Sequence, residues 1–497
     1  MNYRHAALSG AFFSALGYAT KGLFQILSIV VLARLLLPED FGVVGMVFPI
    51  IAFAAIFQEA GLGIAVLQRS TITDEELSTL FWVNTAVGLL LAGVLVVLSP
   101  FTATLYHEPR VEALTAASGA MVLLAALSAQ HIALLNRSLR FRELAIIDAV
   151  SIATGTSVAV ATAYMFETYW AIWLLSFTST AVMCVLSWAF SGWRPGRRAP
   201  LVQVVDLLRF GGNITLSSLF TYFGNHLDKV MIGRVWGSVA LGIYERAFKV
   251  VLLPILFVHT PLFRLVVPML SRTRDDAPRY RRIFITSFQL SLVLTVPGIA
   301  VLAAAAEPMV VVILGADWLQ SAPVFSWLAV ACLAQLVTGP LAPLYVSQNR
   351  SRDSMMAGIA VSIYSCGAFA IGLSGGAVGV AKAYAISEII RIPATLWFAT
   401  RIGPVRFGDA ARAVVPFVVA TPLCFATVRW LTGAIEPLDQ PFQFALIAAA
   451  LSYAVALPCL LVNRAGRACV VETLHLTDTA HQLLRTRLLR ESRSTAG

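Results

Sequence analysis

The chain has 497 residues, 58% of them apolar and only 12% charged, with a mean hydropathy of +0.80. Soluble domains carry about a quarter charged residues, so this much apolar surface needs lipid as its solvent and excludes a water-soluble enzyme. The net charge of +10 does not mark a nucleic-acid binder, because the arginines sit in short loops between apolar runs and no basic soluble domain exists.

The apolar runs have the length of a bilayer-crossing helix, about 20 residues, whereas membrane strands are near ten and alternate. The first run, from about Gly10 to Leu36, superficially resembles a secretory signal. It is too long, holds Lys21 and Arg34, and leads straight into another apolar run, so it is read as a retained helix. Fourteen spans are predicted, near 10–35, 42–67, 79–105, 112–136, 144–166, 168–192, 209–235, 240–269, 284–305, 320–347, 354–373, 376–400, 412–432 and 441–463. The fifth and sixth are joined only around Glu167.

The loops alternate in sign. With the N-terminus inside, the external connections carry Glu39, Asp40, Glu108, Glu167, Glu307, Asp317, Glu436 and Asp439, with Arg110 as their one clear cation. The internal ones carry Arg69, then Arg137, Arg140 and Arg142, then Arg194, Arg197 and Arg198, and later Arg281, Arg350 and Arg401 among others. This contrast predicts an even span count with both termini cytoplasmic. No loop has room for a soluble catalytic domain. The tail from Arg464 has two readings, an amphipathic helix on the anionic inner leaflet or a frayed polar end.

The chain also repeats. Shifted by 200 residues, Arg34 meets Arg234, Phe41 meets Leu241, Gly42 meets Gly242, Val43 meets Ile243 and Phe48 meets Phe248. Further on, Pro100 falls near Pro308, and Asn136-Arg137-Ser138 recurs as Asn349-Arg350-Ser351. The expected fold is therefore an all-α polytopic membrane protein. Two six-helix lobes, 1–205 and 206–405, repeat in parallel about an axis along the membrane normal, with a central cavity between them. Two further helices fill 406–463, and 464–497 is a basic cytoplasmic tail.

An ionisable residue at mid-bilayer costs about 2.5–3.5 kcal/mol on insertion scales. Here the spans hold Lys21, Glu59, Asp148, Asp228, Lys229, Arg234, Glu245, Arg246, Lys249, Arg264, Lys382, Glu388 and Arg391. A water-filled cavity accommodates them most simply. The chain's four lysines, 21, 229, 249 and 382, all fall in or close to spans, while loop cations are arginine. Lys382 and Lys249 also fit snorkelling near helix ends; Lys21, midway along its helix, does not. A cationic cavity suits a pyrophosphate or an acidic sugar. Glu59, Asp228, Glu245 and Glu388 have two readings. They neutralise nearby cations, or one titrates and couples transport to an ion gradient. The six cysteines form no CxxC pair, the histidines show no metal-ligand spacing, and no GxxxxGK[ST] loop exists, so no catalytic residue, metal or cofactor is assigned.

Several segments resemble a known family. They are Ala33-Arg34-Leu35-Leu36 with Pro38-Glu39-Asp40-Phe41-Gly42; Glu59-Ala60-Gly61-Leu62-Gly63 with Ala65-Val66-Leu67-Gln68-Arg69; Leu80-Phe81-Trp82-Val83-Asn84; Arg137-Ser138-Leu139-Arg140-Phe141; and Asn225, Asp228, Gly233-Arg234, Gly237, Leu241-Gly242-Ile243-Tyr244 and Pro254. In order and spacing, over roughly residues 8 to 400, they resemble the polysaccharide flippases of the multidrug/oligosaccharidyl-lipid/polysaccharide exporter superfamily, in the colanic-acid-exporter-like branch. Ala60 departs from the bulky or aromatic residue expected there.

The resemblance implies a non-enzymatic flippase of the bacterial inner membrane. Its cargo would be an undecaprenyl-diphosphate-linked oligosaccharide, moved to the periplasmic leaflet by alternating access for exopolysaccharide, capsule or O-antigen synthesis. Its partners would be that cargo, membrane lipids, and polysaccharide polymerase and chain-length machinery, with no nucleic acid. Lys21, Arg34, Lys229, Arg234, Arg246, Lys249, Lys382 and Arg391 become candidates to hold the diphosphate or sugar, and Glu59, Asp228, Glu245 and Glu388 candidates for gating or ion coupling. The rival readings are a drug/cation antiporter of the same superfamily, a membrane polysaccharide polymerase or ligase, and a lipid II flippase.

Overall fold

The computed structural model describes residues 3–59, 72–200, 204–435, 441–461 and 467. The stretch from Ala60 to Arg69, the acidic pair Glu436 and Asp439, and nearly all of the tail from Arg464 lie outside the described residues. Among the described residues the elements are helical and there is no strand. The main helices are α1 (Tyr3–Leu35), α2 (Pro38–Glu59), α3 (Asp74–Tyr106), α4 (Arg110–Arg137), α5 (Phe141–Phe166), α6 (Trp170–Ser191), α7 (Val205–Arg272) and α8 (Ala277–Ala304). They continue as α9 (Ala306–Ile313), α10 (Ala322–Thr338), α11 (Ala342–Ser347), α12 (Ser351–Gly372), α13 (Gly376–Thr400), α14 (Phe407–Ala434) and α15 (Pro441–Leu461).

Eleven described segments are long and apolar enough to cross a bilayer. Three of them are interrupted: Ala316–Ser347 joins α10 and α11 through a 3-10 turn at Gly339–Leu341, and two others hold a break at glycine. Within α7, Gly237 adopts φ 79°, a left-handed angle that a side chain would disfavour, and the helix restarts beyond it. The segment Ser351–Thr400 contains both α12 and α13, parted at Gly376 with φ 69°. The chain is a multi-span membrane protein. The tight joint expected at Glu167 is an αL cap, φ 46°, whose N–H returns to Ala163 O.

The helices fall into two compact units, Met1–Val250 with Ile313–Val324 and Gly358–Ala383, and Val251–Val312 with Phe325–Ala357 and Tyr384–Gly497. In the first unit small residues let backbones approach, as packing in lipid requires. Asn84 donates across to Ala126 O at 3.0 Å, joining α3 to α4. A Cβ on Gly17 would sit 2.8 Å from that of Ala145, so α1 lies tight on α5. Trp318 donates to Ala33 O at 2.6 Å at the end of α1 and meets Phe41 edge-on. The start of α3 is set by a capping box, with Thr73 N–H on Glu76 at 2.8 Å and Glu76 N–H on Thr73 Oγ1 at 3.2 Å.

The repeat shows most clearly where α2 crosses the restarted part of α7. A Cβ on Gly42 would overlap the carbonyl of Ser238, and a Cβ on Gly242 would overlap the carbonyl of Pro38. Both glycines and both carbonyl residues are related by the same shift of 200 seen in the sequence. The crossing is thus a pseudo-two-fold contact that only glycine permits at either position.

In the second unit α14 and α15 pack on α8 through Ala300, Ala420, Cys424 and Ala456. Pro297 inside α8 cannot donate to the turn before it, and carbonyls of this stretch are met by side chains of α15. Tyr453 donates to Leu294 O at 2.7 Å and Ser452 to Pro297 O at 3.0 Å.

One polar match of the repeat is shifted by the structure. Residues 135–144 and 345–354 have the same backbone pattern at an offset of 210. Leu139 and Asn349 are the left-handed residues, φ 55° and 56°. Arg140 N–H bonds Leu135 O at 3.0 Å, and Arg350 N–H bonds Tyr345 O at 2.9 Å. Arg350 is therefore matched by Arg140, not by Arg137. The shared string is Arg-x-Arg-acid, Arg140-Phe141-Arg142-Glu143 and Arg350-Ser351-Arg352-Asp353.

Candidate functional site

The predicted charged residues do not all meet. Five of them gather in the first unit, on the two parts of α7 that flank Gly237. Asp228 is buried and accepts from the Tyr244 hydroxyl at 2.9 Å. Its neighbour Lys229 donates to Asn225 O at 2.7 Å, sits 3.4 Å from Asp228 and lies over the Phe248 ring. Two turns past the break, buried Glu245 pairs with Lys249 at 2.8 Å. Between them in sequence, Arg246 is 6% exposed and forms no ion pair among the described residues. Its guanidinium carbon lies 3.6 Å from the centroid of the Phe41 ring on α2. The negative face of that ring partly offsets the loss of hydration.

Each assignment follows from the local fold. The restart at Gly237 places the run Leu241-Gly242-Ile243-Tyr244-Glu245-Arg246-Ala247 wholly in the interior. The glycine crossing then lays this run on α2, so Phe41 and Phe48 become partners of Arg246 and Lys249. A Cβ on Gly45 would press on the Glu245 carboxylate at 2.6 Å. The cluster has three cations and two carboxylates, so it carries a net positive charge in an apolar surround. Such an arrangement attracts an anion and holds it by charge-assisted hydrogen bonds.

Several of the remaining candidates have partners of their own. Lys21 pairs with Asp148 on α5 at 3.7 Å, both about half exposed. Arg234 meets the His107 ring at 3.0 Å. Arg34 and Lys382 are exposed. Glu388 and Arg391 form their own pair within the second unit, with Nε to Oε1 at 2.8 Å and Glu388 wholly buried. Glu59 is the last residue of α2, and its side chain lies outside the described residues. The second unit also holds a small, partly open apolar pocket, lined by His259, Phe263, Phe284, Phe288, Gly339 and Pro343 among others, and none of the predicted charges borders it.

Sequence reasoning missed Tyr244, Phe41 and Phe48 as parts of the cluster. Tyr244 and Phe41 lie in the quoted motifs, but nothing in hydropathy distinguishes an aromatic under a cation from one in a core. Among the described residues no group of histidines, cysteines and carboxylates has the arrangement of a metal site.

A protein family described as polysaccharide biosynthesis protein matches residues 31–323, more than half of the chain. The chain belongs to this family. Within it, the matched stretch contains α2, the whole cluster and the glycine crossing. The chain is 24% identical to the lipopolysaccharide biosynthesis protein WzxC of Escherichia coli (strain K12), over 85% of this chain and 87% of that one. It is 27% identical to the succinoglycan biosynthesis transport protein ExoT of Rhizobium meliloti (strain 1021), over 62% of each. Its fold is that of the solved lipid II flippase MurJ in an inward closed conformation, with a TM-score of 0.72, 15% identity, and coverage of 90% of this chain and 98% of that one.

Proposed function

We propose that this family member is a flippase and not an enzyme, moving an undecaprenyl-diphosphate-linked polysaccharide repeat unit from the cytoplasmic to the periplasmic leaflet of the bacterial inner membrane. The observation that carries this reading is the net cationic cluster of Lys229, Arg246 and Lys249 with Asp228 and Glu245, held in bilayer-crossing helices. Charges are retained in lipid where they serve a pathway, and three cations at one place suit a diphosphate. The relatives' names, polysaccharide biosynthesis and its transport, support the cargo class.

In this reading the lobes are residues 1–205 and 206–405, with fourteen spans in all and both termini cytoplasmic. Cargo moves by alternating access, and Glu245 and Asp228 gate or couple the change while Lys229, Arg246 and Lys249 hold the diphosphate. Lys21, Arg34, Arg234, Lys382 and Arg391 contact the sugar along the route, with Glu59 and Glu388 as further gating groups. A polymerase and its chain-length partner take the product.

The test is a deletion strain with the upstream glycosyltransferases intact. Lipid-linked oligosaccharides are extracted, weighed by mass spectrometry and assigned to a leaflet. A complete repeat unit stranded on the cytoplasmic side, with surface polymer lost, supports the reading and names the glycan. A repeat unit that reaches the periplasmic leaflet normally while polymer is absent places the protein after translocation and overturns it.

A further inference from the structure

The arginines of the internal loops differ in their partners. In the second unit three of them are held by carboxylates. Arg281 is bound to Asp409 at 3.1 Å and to Pro404 O, while Arg350 and Arg401 share Asp353. In the first unit the segment after α6, Gly192 to Pro200, is a non-helical strap carrying Arg194, Arg197 and Arg198, all exposed. Among the described residues none of these three forms an ion pair with a carboxylate.

The strap is nevertheless fixed. Gly196 N–H donates to Ser78 Oγ at 2.9 Å, the Thr79 hydroxyl donates to Ala199 O at 2.9 Å, and Ala199 N–H donates to Glu75 O at 3.2 Å. Trp193 is seated edge-on against Phe81, 5.9 Å between centroids. Arg198 lies over the ring of Trp82, 4.6 Å from its centroid, and Trp82 is itself 39% exposed. Guanidinium groups on a rigid support, with indole beside them at the ends of bilayer-crossing helices, are the chemistry of an interfacial anion seat. Flexible surface arginines would lose entropy on binding; here the backbone that carries them is fixed, and Arg194 and Arg198 already lie over indole rings.

We infer that the strap of Arg194, Arg197 and Arg198 binds the headgroup phosphate of an anionic phospholipid. The orientation proposed above puts it at the inner leaflet, but the lipid contact does not depend on transport. The experiment uses the full chain in detergent and in nanodiscs. Native mass spectrometry compares retention of phosphatidylglycerol and phosphatidylcholine by the wild type and by the Arg197→Gln, Arg198→Gln double variant. The wild type is expected to retain phosphatidylglycerol preferentially, and the double variant to lose that preference roughly ten-fold or more. Arg281→Gln, a change at a self-paired arginine, is expected to leave it unaltered.

A second measurement needs no variant. Phenylglyoxal labelling of the wild type, read by peptide mass, is expected to slow at Arg197 and Arg198 when phosphatidylglycerol replaces phosphatidylcholine. Equal retention of the two lipids, an unchanged preference in the double variant, or labelling indifferent to lipid overturns the inference. Equal protection by inorganic phosphate also overturns it, because the seat would then read a free anion and not a lipid. None of these outcomes bears on whether the chain flips a lipid-linked glycan.

Discussion

The corner between α4 and α5 and the corner between α11 and α12 are one device built at two strengths. In the first, Arg140 pairs with Glu143 at 3.0 Å and donates to Phe190 O at the end of α6. In the second, Arg350 pairs with Asp353 at 2.8 Å and donates to Ala399 O at the end of α13, and to Ile402 O beyond it. The side chain of Arg140 is 39% exposed and that of Arg350 only 9%. Arg401 adds a second cation on Asp353, at 3.1 Å. In both, the guanidinium satisfies carbonyls that a helix end leaves open and favours its negative pole. The repeat is therefore kept in polar capping chemistry, while the apolar residues around it have drifted. What differs is burial, and burial decides how much each arginine contributes.

The largest expected effect tests that difference directly. Arg350→Ala should cost about 3 kcal/mol, because it strips a buried pair and leaves carbonyls open. Arg140→Ala should cost about 1 kcal/mol, since solvent replaces much of what is lost. Thermal unfolding of both variants in the same detergent measures this, and equal losses would break the comparison.

The glycine crossing tests the symmetry itself. Gly42→Ala and Gly242→Ala should each cost about 2 kcal/mol by forcing the helices apart, and by nearly equal amounts. The double variant should cost less than the sum, as both changes open one contact. A silent substitution at either position would show that the crossing is not two-fold.

The corners and the charged cluster should separate by activity. Arg246→Lys keeps the charge but not the planar stack on Phe41, so surface polymer should fall about ten-fold with little change in melting temperature. Arg140→Lys should change surface polymer by much less. A complementation assay in the deletion strain reads both.

The smallest effect concerns the link between α3 and α4. Hydrogen bonding from the Arg110 guanidinium holds the Glu108 carboxyl below the usual carboxylate range, and Arg110 also pairs with Glu39. A lowered folded pKa stabilises the native state above the unfolded value, about 4.3. That contribution is lost as pH falls through the folded value. Stability, read from thermal unfolding, should therefore be flat above about pH 5 and decline below it by a few tenths of a kcal/mol. Arg110→Ala should remove that decline.

Much of the fold is legible in the sequence. Hydropathy gave the helical membrane class, and the 200-residue shift found Gly42 and Gly242 before their contact was seen. The shift failed at Asn136-Arg137-Ser138, where three adjacent identities outweighed the Arg-x-Arg-acid string that carries the geometry. The candidate site was legible as a set of charges and not as a constellation. Asp228, Lys229, Glu245, Arg246 and Lys249 could be named, but so could Lys21 and Arg234, which have other partners.

The sequence by itself determined the class of the chain, the positions of its breaks and the sign of its loops, because apolar length, glycine and net loop charge act locally and add along the chain. Only the tertiary structure decided which buried charge meets which partner, why Phe41 lies under Arg246, and which arginines remain uncompensated. Those outcomes depend on how far each helix is rotated and where two backbones can touch, and a single substitution of glycine for a larger residue is enough to change both.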